Sequence, residues 1–220
     1  MHALTLDADR RIGTILAIGA HADDLEIGCG GTILALGQSH PEAEVVWVVL
    51  SSDGSRAEEA RRSADDFLQG FSRARVIVEE FRDGFFPYLG GAVKEFFEEI
   101  KSTVAPDVVF THQRADLHQD HRLVNELTWN TFRDHLILEY EIPKYDGDLG
   151  SPNVFVHLTD SIVKRKTDAV RKHFETQRSK HWFTDDLFEG LLRLRGMECN
   201  SPTGRAEAFY CRKLVVEAGA

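Results

Sequence analysis

Two short stretches of the sequence concentrate side chains that can bind a metal ion or transfer a proton. The first is His21-Ala-Asp-Asp24, in which one imidazole and two carboxylates fall within four residues. The second runs from His112 to His121 and holds three histidines and two aspartates in ten residues. A single histidine near the end of a strand is usually a solvated or hydrogen-bonded loop residue, but two such dense groups together indicate a site.

Histidine and carboxylate ligands without thiolates suit a catalytic Zn²⁺ site, in which three protein ligands leave one position open. His21 and Asp24 are close enough in the sequence to bind one ion from a single loop, and His121 can supply the third ligand from the second stretch. Fe²⁺, Mn²⁺ or Co²⁺ can occupy the same ligands, because geometry and availability also decide the metal. The chemistry expected of such an ion is activation of water and polarisation of a carbonyl group.

Both stretches follow predicted buried strands. The apolar run Thr14–Ala20 is too short for an ordinary helix and predicts a strand, as does 107–112. The loops that leave the carboxyl ends of parallel strands are where open α/β sheets bind ligands. We therefore expect the two stretches to meet at one edge of a sheet.

The alternation of strands and helices over residues 12–135 predicts a fold of the α/β class: a Rossmann-like, mostly parallel β-sheet flanked by helices, with right-handed crossovers. The glycines at 28, 30 and 31 end the first motif, and a helix-compatible segment begins at Thr32. The C-terminal third is less regular. Further strands are predicted at 44–51, 74–79, 136–143, 153–158 and 206–216, and further helices at 55–71, 93–104, near His118, 161–177 and 187–195.

The composition indicates one globular domain over residues 1–220. The chain is 42% hydrophobic and 28% charged, and its net charge of −10 argues against nucleic acid or an anionic membrane as the main partner. No apolar run approaches the roughly 18 residues that span a bilayer.

Three cysteines do not make a disulfide framework, and Met1–Arg11 lacks the pattern of a secretory signal, so we expect a cytoplasmic protein. Whether the chain forms a homo-oligomer stays open.

The motifs resemble those of the PIG-L/LmbE family of metal-dependent N-deacetylases, whose pattern is His-Pro-Asp-Asp, then Gly-Cys-Gly-Gly-Thr, then His-x-Asp-His. In this sequence the matching stretches are His21-Ala-Asp-Asp24, Gly28-Cys-Gly-Gly-Thr32 and His118-Gln-Asp-His121. The resemblance spans roughly residues 12–135. Ala22 replaces the usual proline, and Leu25 stands where many members have glutamate, with Glu26 one place later and interpreted as structural.

The resemblance implies a role for each matched residue. It implies zinc on His21, Asp24 and His121, and Asp23 as the general base. It implies that His118 aids the oxyanion and protonates the leaving amine, with Asp120 as the partner of that histidine. The implied reaction is amide hydrolysis on a small N-acetylated sugar, typically an N-acetylglucosaminyl group, with release of acetate and a free amine.

Several residues stay open to more than one interpretation. Arg56 lies near the same predicted edge, where it can bind substrate or simply be a solvated arginine at the start of a helix. Asp116 can orient a histidine or cap a helix, and His112 can lie outside the ligand set. The aromatic loop 81–88 and the segment 139–145 can wall the pocket or pack at an edge. Cys29 is expected to be a small packing residue in a glycine-rich turn.

Two other classes of function compete with a hydrolase. A strand, a glycine cluster and a helix also open dinucleotide-binding oxidoreductases, but these glycines do not form Gly-x-Gly-x-x-Gly directly after the strand, and the two aspartates would repel a pyrophosphate. A non-catalytic metal-binding or sugar-binding protein would need the ligands but not Asp23.

Overall fold

A computed structural model describes residues 12–52 and 54–216. The stretch Met1–Arg11, on which the expectation about a secretory signal rests, lies outside the described residues, as do Asp53 and residues 217–220. Within the described ranges, every helix is too short or too polar to cross a membrane.

One seven-stranded sheet organises the described chain. Its strands are β1 (Thr14–His21), β2 (Glu44–Ser51), β3 (Arg73–Val78), β4 (Val108–His112), β5 (Leu136–Tyr140), β6 (Val154–His157) and β7 (Ala206–Tyr210), in the spatial order β3-β2-β1-β4-β5-β7-β6. The first five strands run parallel, and β7 lies antiparallel between β5 and β6. The predicted α/β, mostly parallel sheet is confirmed. Because β1 and β4 are parallel neighbours, His21 and His112 end their strands at the same edge.

Within residues 12–52 and 54–216, six α-helices cover the two faces of the sheet. They are α1 (Asp24–Ser39), α2 (Gly54–Phe67), α3 (Gly90–Thr103), α4 (Gln119–Thr131), α5 (Asp160–His173) and α6 (Asp185–Glu198), with single 3-10 turns at Phe86–Tyr88 and Glu175–Gln177. Successive residues of β1 enter different cores, since side chains alternate along a strand. Ile15 packs in the cluster that includes α1, α2 and α5, and Leu16 packs in the cluster under α3 and α4.

Helix α1 begins at Asp24, eight residues before the predicted start at Thr32, so the prediction of a glycine-rich turn is wrong. The glycines lie inside the helix and allow neighbouring side chains to approach its backbone. A Cβ atom on Gly28 would lie 2.2 Å from Tyr140 Cδ2, and one on Gly30 would lie 2.5 Å from Phe67 Cε1. Close packing therefore explains these glycines without a backbone turn.

A buried ion pair joins the C-terminal part of the chain to the middle of α1. Glu207, on β7, accepts hydrogen bonds from the backbone N–H groups of Gly31 at 2.8 Å and Thr32 at 2.6 Å. Lys166, on α5, lies 2.6 Å from the Glu207 carboxylate and donates to the carbonyl of Ile27 at 2.7 Å. The helix that carries the first motif is thus fixed by two elements far away in the sequence.

We predict that Gly28→Ala destabilises the protein by about 1–3 kcal/mol, because the added methyl group overpacks a full core. The Tyr140 ring is fully buried, and its hydroxyl donates to the carbonyl of Ile18 at 2.8 Å, so the ring has little room to move. Urea unfolding followed by circular dichroism measures the change. Gly190→Ala in α6 is the matched control, since a Cβ there would meet nothing within 4 Å. Equal stability of the two variants would contradict this packing account.

Candidate active site

The turn between β1 and α1 presents two adjacent carboxylates in different directions. Asp23 has φ 90°, in the left-handed region, and precedes the first residue of the helix. Aspartate adopts this conformation more readily than most side chains. Asp24 folds back, and its Oδ2 accepts the backbone N–H of His21 at 2.7 Å. This local geometry separates the predicted base from the predicted ligand.

His21, Asp24 and His121 place three candidate ligand atoms in a triangle, called the ligand triangle below. The distance from His21 Nδ1 to His121 Nε2 is 3.2 Å. Asp24 Oδ2 lies 3.4 Å from His21 Nδ1 and 3.6 Å from His121 Nε2. Tetrahedral zinc with bonds near 2.05 Å separates its ligand atoms by about 3.3 Å. The residues present therefore fit one such ion, with a coordination position left open.

Each imidazole of the ligand triangle is held on its other nitrogen by a carboxylate. His21 Nε2 lies 3.2 Å from Asp120 Oδ2, and His121 Nδ1 lies 2.9 Å from Asp116 Oδ2. Histidines that bind metals almost always donate their second ring N–H to such a partner, which fixes the tautomer and the ring orientation. This arrangement is a second, independent reason to regard the cluster as a metal site.

Three overlapping groups of side chains also bring possible ligand atoms within 4.8 Å of one another. They are His21, His118 and His121; Asp24, His112 and His121; and His21, Asp83 and Asp120. We favour the ligand triangle because a nitrogen of each remaining histidine already accepts a backbone N–H. His112 Nε2 accepts from Ala20 at 3.0 Å, and His118 Nδ1 accepts from Asp120 at 3.3 Å. Asp120 is engaged as the partner of His21.

His112 and Asp116 support His121 from two sides. The His112 ring is fully buried and stacks on the His121 ring with centroids 3.8 Å apart. Asp116 orients the His121 imidazole and also accepts the backbone N–H of His118 at 2.8 Å. Of the two roles left open for Asp116, the structure shows the orienting one, while His118 itself occupies the capping position of α4.

The predicted pairing of Asp120 with the His118 imidazole is wrong. Asp120 is the second residue of α4, and its carboxylate accepts the backbone N–H groups of Gly84 at 2.6 Å and Phe86 at 3.1 Å besides contacting His21. His118 instead receives the backbone N–H of Asp120 on Nδ1. The remaining His118 proton is therefore placed on Nε2, where it can be donated to a ligand.

Burial and neighbouring charges shift the pKa values of the two adjacent aspartates in opposite directions. Burial, together with the charge of Asp24, raises the pKa of Asp23 well above its usual range, and Arg56 opposes that rise. Burial would also raise the pKa of Asp24, but His121 and His112 hold it well below its usual range. Asp24 therefore stays ionised, as a ligand must, while Asp23 is the stronger base.

The pKa values of the histidines at the site also shift in opposite directions. Burial would lower the pKa of His21, but hydrogen bonds to Asp120, Asp24 and Asp83 raise it well above its usual range. Burial lowers the pKa of His121 to about 3 and that of His118 below its usual range. The carboxylates thus concentrate their attraction for a cation around His21.

Arg56 lies at the same edge, as its position in the sequence predicts. Its Nη2 donates to the carbonyl of Ala22 at 3.3 Å, and its Nη1 lies 3.5 Å from Asp83 Oδ2. Asp83 also lies 3.1 Å from His21 Nε2, and the His21 hydrogen bond lowers the Asp83 pKa to about 2. The sequence analysis missed Asp83, whose only signal was its place in the aromatic loop 81–88.

Two other residues of the first motif are buried in α1. Cys29 Sγ contacts the carbonyl of Leu25 at 3.3 Å, and burial raises the pKa of the thiol well above its usual range, which disfavours the thiolate needed for nucleophilic attack. Burial also raises the pKa of Glu26 to about 7.

Residues 16–132 match the family described as PIG-L: GlcNAc-PI de-N-acetylase. A protein of Escherichia coli (strain K12) named uncharacterized deacetylase YaiS is 31% identical over an alignment of 182 residues that covers 78% of this chain and 95% of that protein.

Solved structures share the fold at lower identity. The N,N'-diacetylchitobiose deacetylase from Pyrococcus horikoshii superposes with a TM-score of 0.64 at 22% identity, over 91% of this chain and 84% of that one. GalB, the 4-carboxy-2-hydroxymuconate hydratase from Pseudomonas putida KT2440, superposes with a TM-score of 0.73 at 16% identity, over 95% of this chain and 100% of that one. These two likenesses show the fold alone.

We predict that Asp120→Asn loosens the loop 82–86. The two oxygens of the Asp120 carboxylate accept hydrogen bonds from Gly84 and Phe86, whereas an asparagine would have to point its N–H₂ group at one of these N–H donors. Hydrogen–deuterium exchange followed by mass spectrometry should show faster exchange in peptides covering 82–86. Glu98→Gln on α3 is the control, since Glu98 pairs with Lys94 on the surface. Unchanged exchange in Asp120→Asn would show that the carboxylate does not hold the loop.

Proposed function

Because the chain belongs to the PIG-L (GlcNAc-PI de-N-acetylase) family, we propose that it is a metal-dependent hydrolase that removes the N-acetyl group from an N-acetylglucosamine-type sugar or a related small N-acyl compound. The observation that carries the proposal is the ligand triangle beside the buried carboxylate of Asp23. The names of the family and of its relatives support an N-acetyl substrate.

His21, Asp24 and His121 are the residues that would hold the ion, and their oxygen and nitrogen atoms suit Zn²⁺, with Fe²⁺, Mn²⁺ and Co²⁺ as alternatives. A bound ion of this kind supplies a Lewis acid that polarises the amide carbonyl and makes water more acidic. Asp116 and Asp120 keep the two imidazoles in the orientation that this requires.

Asp23 is the general base in this proposal. Its raised pKa suits it to take a proton from the water that attacks the acetyl carbon. The water oxygen forms a bond to that carbon, and the carbonyl oxygen takes up negative charge. His118, with its proton on Nε2, donates a hydrogen bond to this oxygen. The C–N bond then breaks, the proton that Asp23 took from the water passes to the amine nitrogen, and acetate leaves. A neutral His118 whose Nε2 proton binds the oxyanion does not also protonate the amine, as the resemblance had implied.

The substrate contacts proposed here come from Arg56 and from the loop 81–88. The guanidinium of Arg56 is one-quarter exposed beside Asp23 and can reach a substrate hydroxyl or phosphate. Phe85 and Tyr88 are 37% and 77% exposed on the loop that the Asp120 carboxylate holds. An aromatic face there would pack against a sugar ring.

The two competing classes are less well supported. The glycines that suggested a dinucleotide site lie inside α1 against side chains of the core, such as Tyr140 and Phe67. A non-catalytic binding protein has no need for a base with a raised pKa next to the ligands. The fold itself does not choose among reactions, since its structural neighbours include both a deacetylase and a hydratase.

The proposal predicts that zinc-loaded protein releases acetate from N-acetyl sugars and that chelator-treated protein does not. Asp23→Asn should keep its zinc but lose activity by about 10²-fold or more, as expected when a general base is removed. Acetate release across a panel of N-acetyl sugars and zinc content by atomic emission measure the two properties. His21→Ala and His121→Ala should instead lose zinc.

Asp134→Asn is the control for the base, because the Asp134 side chain is 91% exposed. Hydrolysis by Asp23→Asn at the wild-type rate would show that Asp23 is not the general base. If protein shown to hold zinc releases acetate from none of the N-acetyl compounds, the proposed deacetylase activity is contradicted.

Arg56→Met should move the acid limb of the pH profile to higher pH. Arg56 lowers the pKa of Asp23, so its removal raises that pKa, and the base is then protonated at a pH where the wild-type base is still free. Measurement of kcat/KM against pH tests this, with Arg62→Met on the exposed face of α2 as the control. An unmoved acid limb in Arg56→Met would show that the Arg56 charge does not act on the base.

A further inference from the structure

A buried group of three charged side chains lies beside Nδ1 of His121, on the side of the ring opposite to Nε2, which belongs to the ligand triangle. Lys144 Nζ lies 3.0 Å from Asp116 Oδ2 and also hydrogen-bonds the carboxylate of Asp148. The side chains of Asp116, Asp148 and Lys144 are 0%, 3% and 10% exposed. Over residues 12–52 and 54–216, Lys144 is the one lysine or arginine whose nitrogen comes within 4.0 Å of either carboxylate.

The same group joins two loops. Asp148 Oδ2 accepts the backbone N–H of Leu117 at 2.7 Å, and the backbone carbonyl of Asp148 accepts from Gln113 Nε2 at 3.0 Å. The segment 144–150 is thereby fastened to the loop 113–118 that leads into α4. Neither contact was expected from the sequence, where 139–145 was interpreted as a wall of the pocket or as edge packing.

We propose that Lys144 is a positioning residue for the metal ligand His121 and acts through Asp116. The inference rests on the proposed function, because it takes His121 as a ligand. Asp116 Oδ2 lies 2.9 Å from His121 Nδ1 and 3.0 Å from the Lys144 ammonium, while Asp116 Oδ1 accepts the backbone N–H of His118. Three donors therefore fix the carboxylate, and the carboxylate fixes the ring.

Removing the Lys144 charge leaves two buried carboxylates without a cation. Unpaired charges in a buried site are strongly unfavourable, so Asp116 and Asp148 would move apart or turn towards solvent. Asp116 would then hold His121 less well. Loss of a partner that orients a metal-binding histidine typically weakens metal binding about 10–100-fold.

A purely structural role for Lys144 would have a different signature. The Lys166–Glu207 pair is buried to a similar extent and fixes α1, yet its polar contacts are with that helix and with no residue that orients a ligand imidazole. A structural role of that kind changes the free energy of unfolding but leaves zinc affinity as it is. Zinc affinity is therefore the property that separates the two roles.

The test measures the zinc dissociation constant of the full chain by competition with a fluorescent chelator. Lys144→Met should bind zinc about tenfold or more weakly. Lys144→Arg, which keeps the positive charge, should bind zinc more tightly than Lys144→Met does. Lys164→Met is the matched control, since Lys164 pairs with Asp168 on the surface of α5, and it should bind as wild type does. Visible absorption of the Co²⁺-substituted protein should change in Lys144→Met and not in Lys164→Met.

The outcomes separate this inference from the proposed function. Failure of the wild type to bind zinc, or retention of zinc by His121→Ala, would overturn the metal site itself. If the wild type binds zinc and His121→Ala does not, then wild-type affinity in Lys144→Met overturns only the role of Lys144. Should Lys144→Met not fold, Lys144→Gln, which removes the positive charge but keeps an N–H₂ donor group, decides the matter in the same assay by the same criterion.

Discussion

The pairing of each imidazole of the ligand triangle with a carboxylate on its second nitrogen is the constraint on which the rest of the site depends. Buried ionised groups are tolerated only where they are paired and hydrogen-bonded. Asp116 and Asp120 meet this condition through His121 and His21, and each also accepts backbone N–H groups. The same contacts that make the buried charges tolerable also hold the ligand triangle in shape.

The fold contributes adjacency and rigidity. Parallel pairing of β1 with β4 places the ends of both strands side by side, so residues about a hundred positions apart in the chain share one cluster. Helix α1 packs closely over the sheet because Gly28 and Gly30 leave room for Tyr140 and Phe67. A cation-binding site made of short side chains needs such a fixed backbone, since the side chains themselves have little reach.

The sequence was sufficient for the parallel sheet and for the meeting of the two motifs, because both follow from local patterns and from the topology of βαβ units. It was not sufficient for the start of α1. Glycines usually signal turns, and the side chains that explain these glycines come from β5 and α2. The partner of Asp120 was missed for a related reason, since that carboxylate is satisfied by backbone N–H groups of Gly84 and Phe86, which carry no signal in the sequence. Lys144 belongs to a loop whose position only the folded chain fixes.

The contact between Glu207 and α1 has a consequence for synthesis on the ribosome. The residues of the first motif are synthesised before β7, but the carboxylate that binds the backbone of Gly31 and Thr32 belongs to that strand. A nascent polypeptide therefore carries the complete set of motifs well before α1 has its final support. The cluster therefore reaches its supported form only after β7 has been synthesised, and a truncated product that lacks β7 would lack the carboxylate that holds the middle of α1 in place.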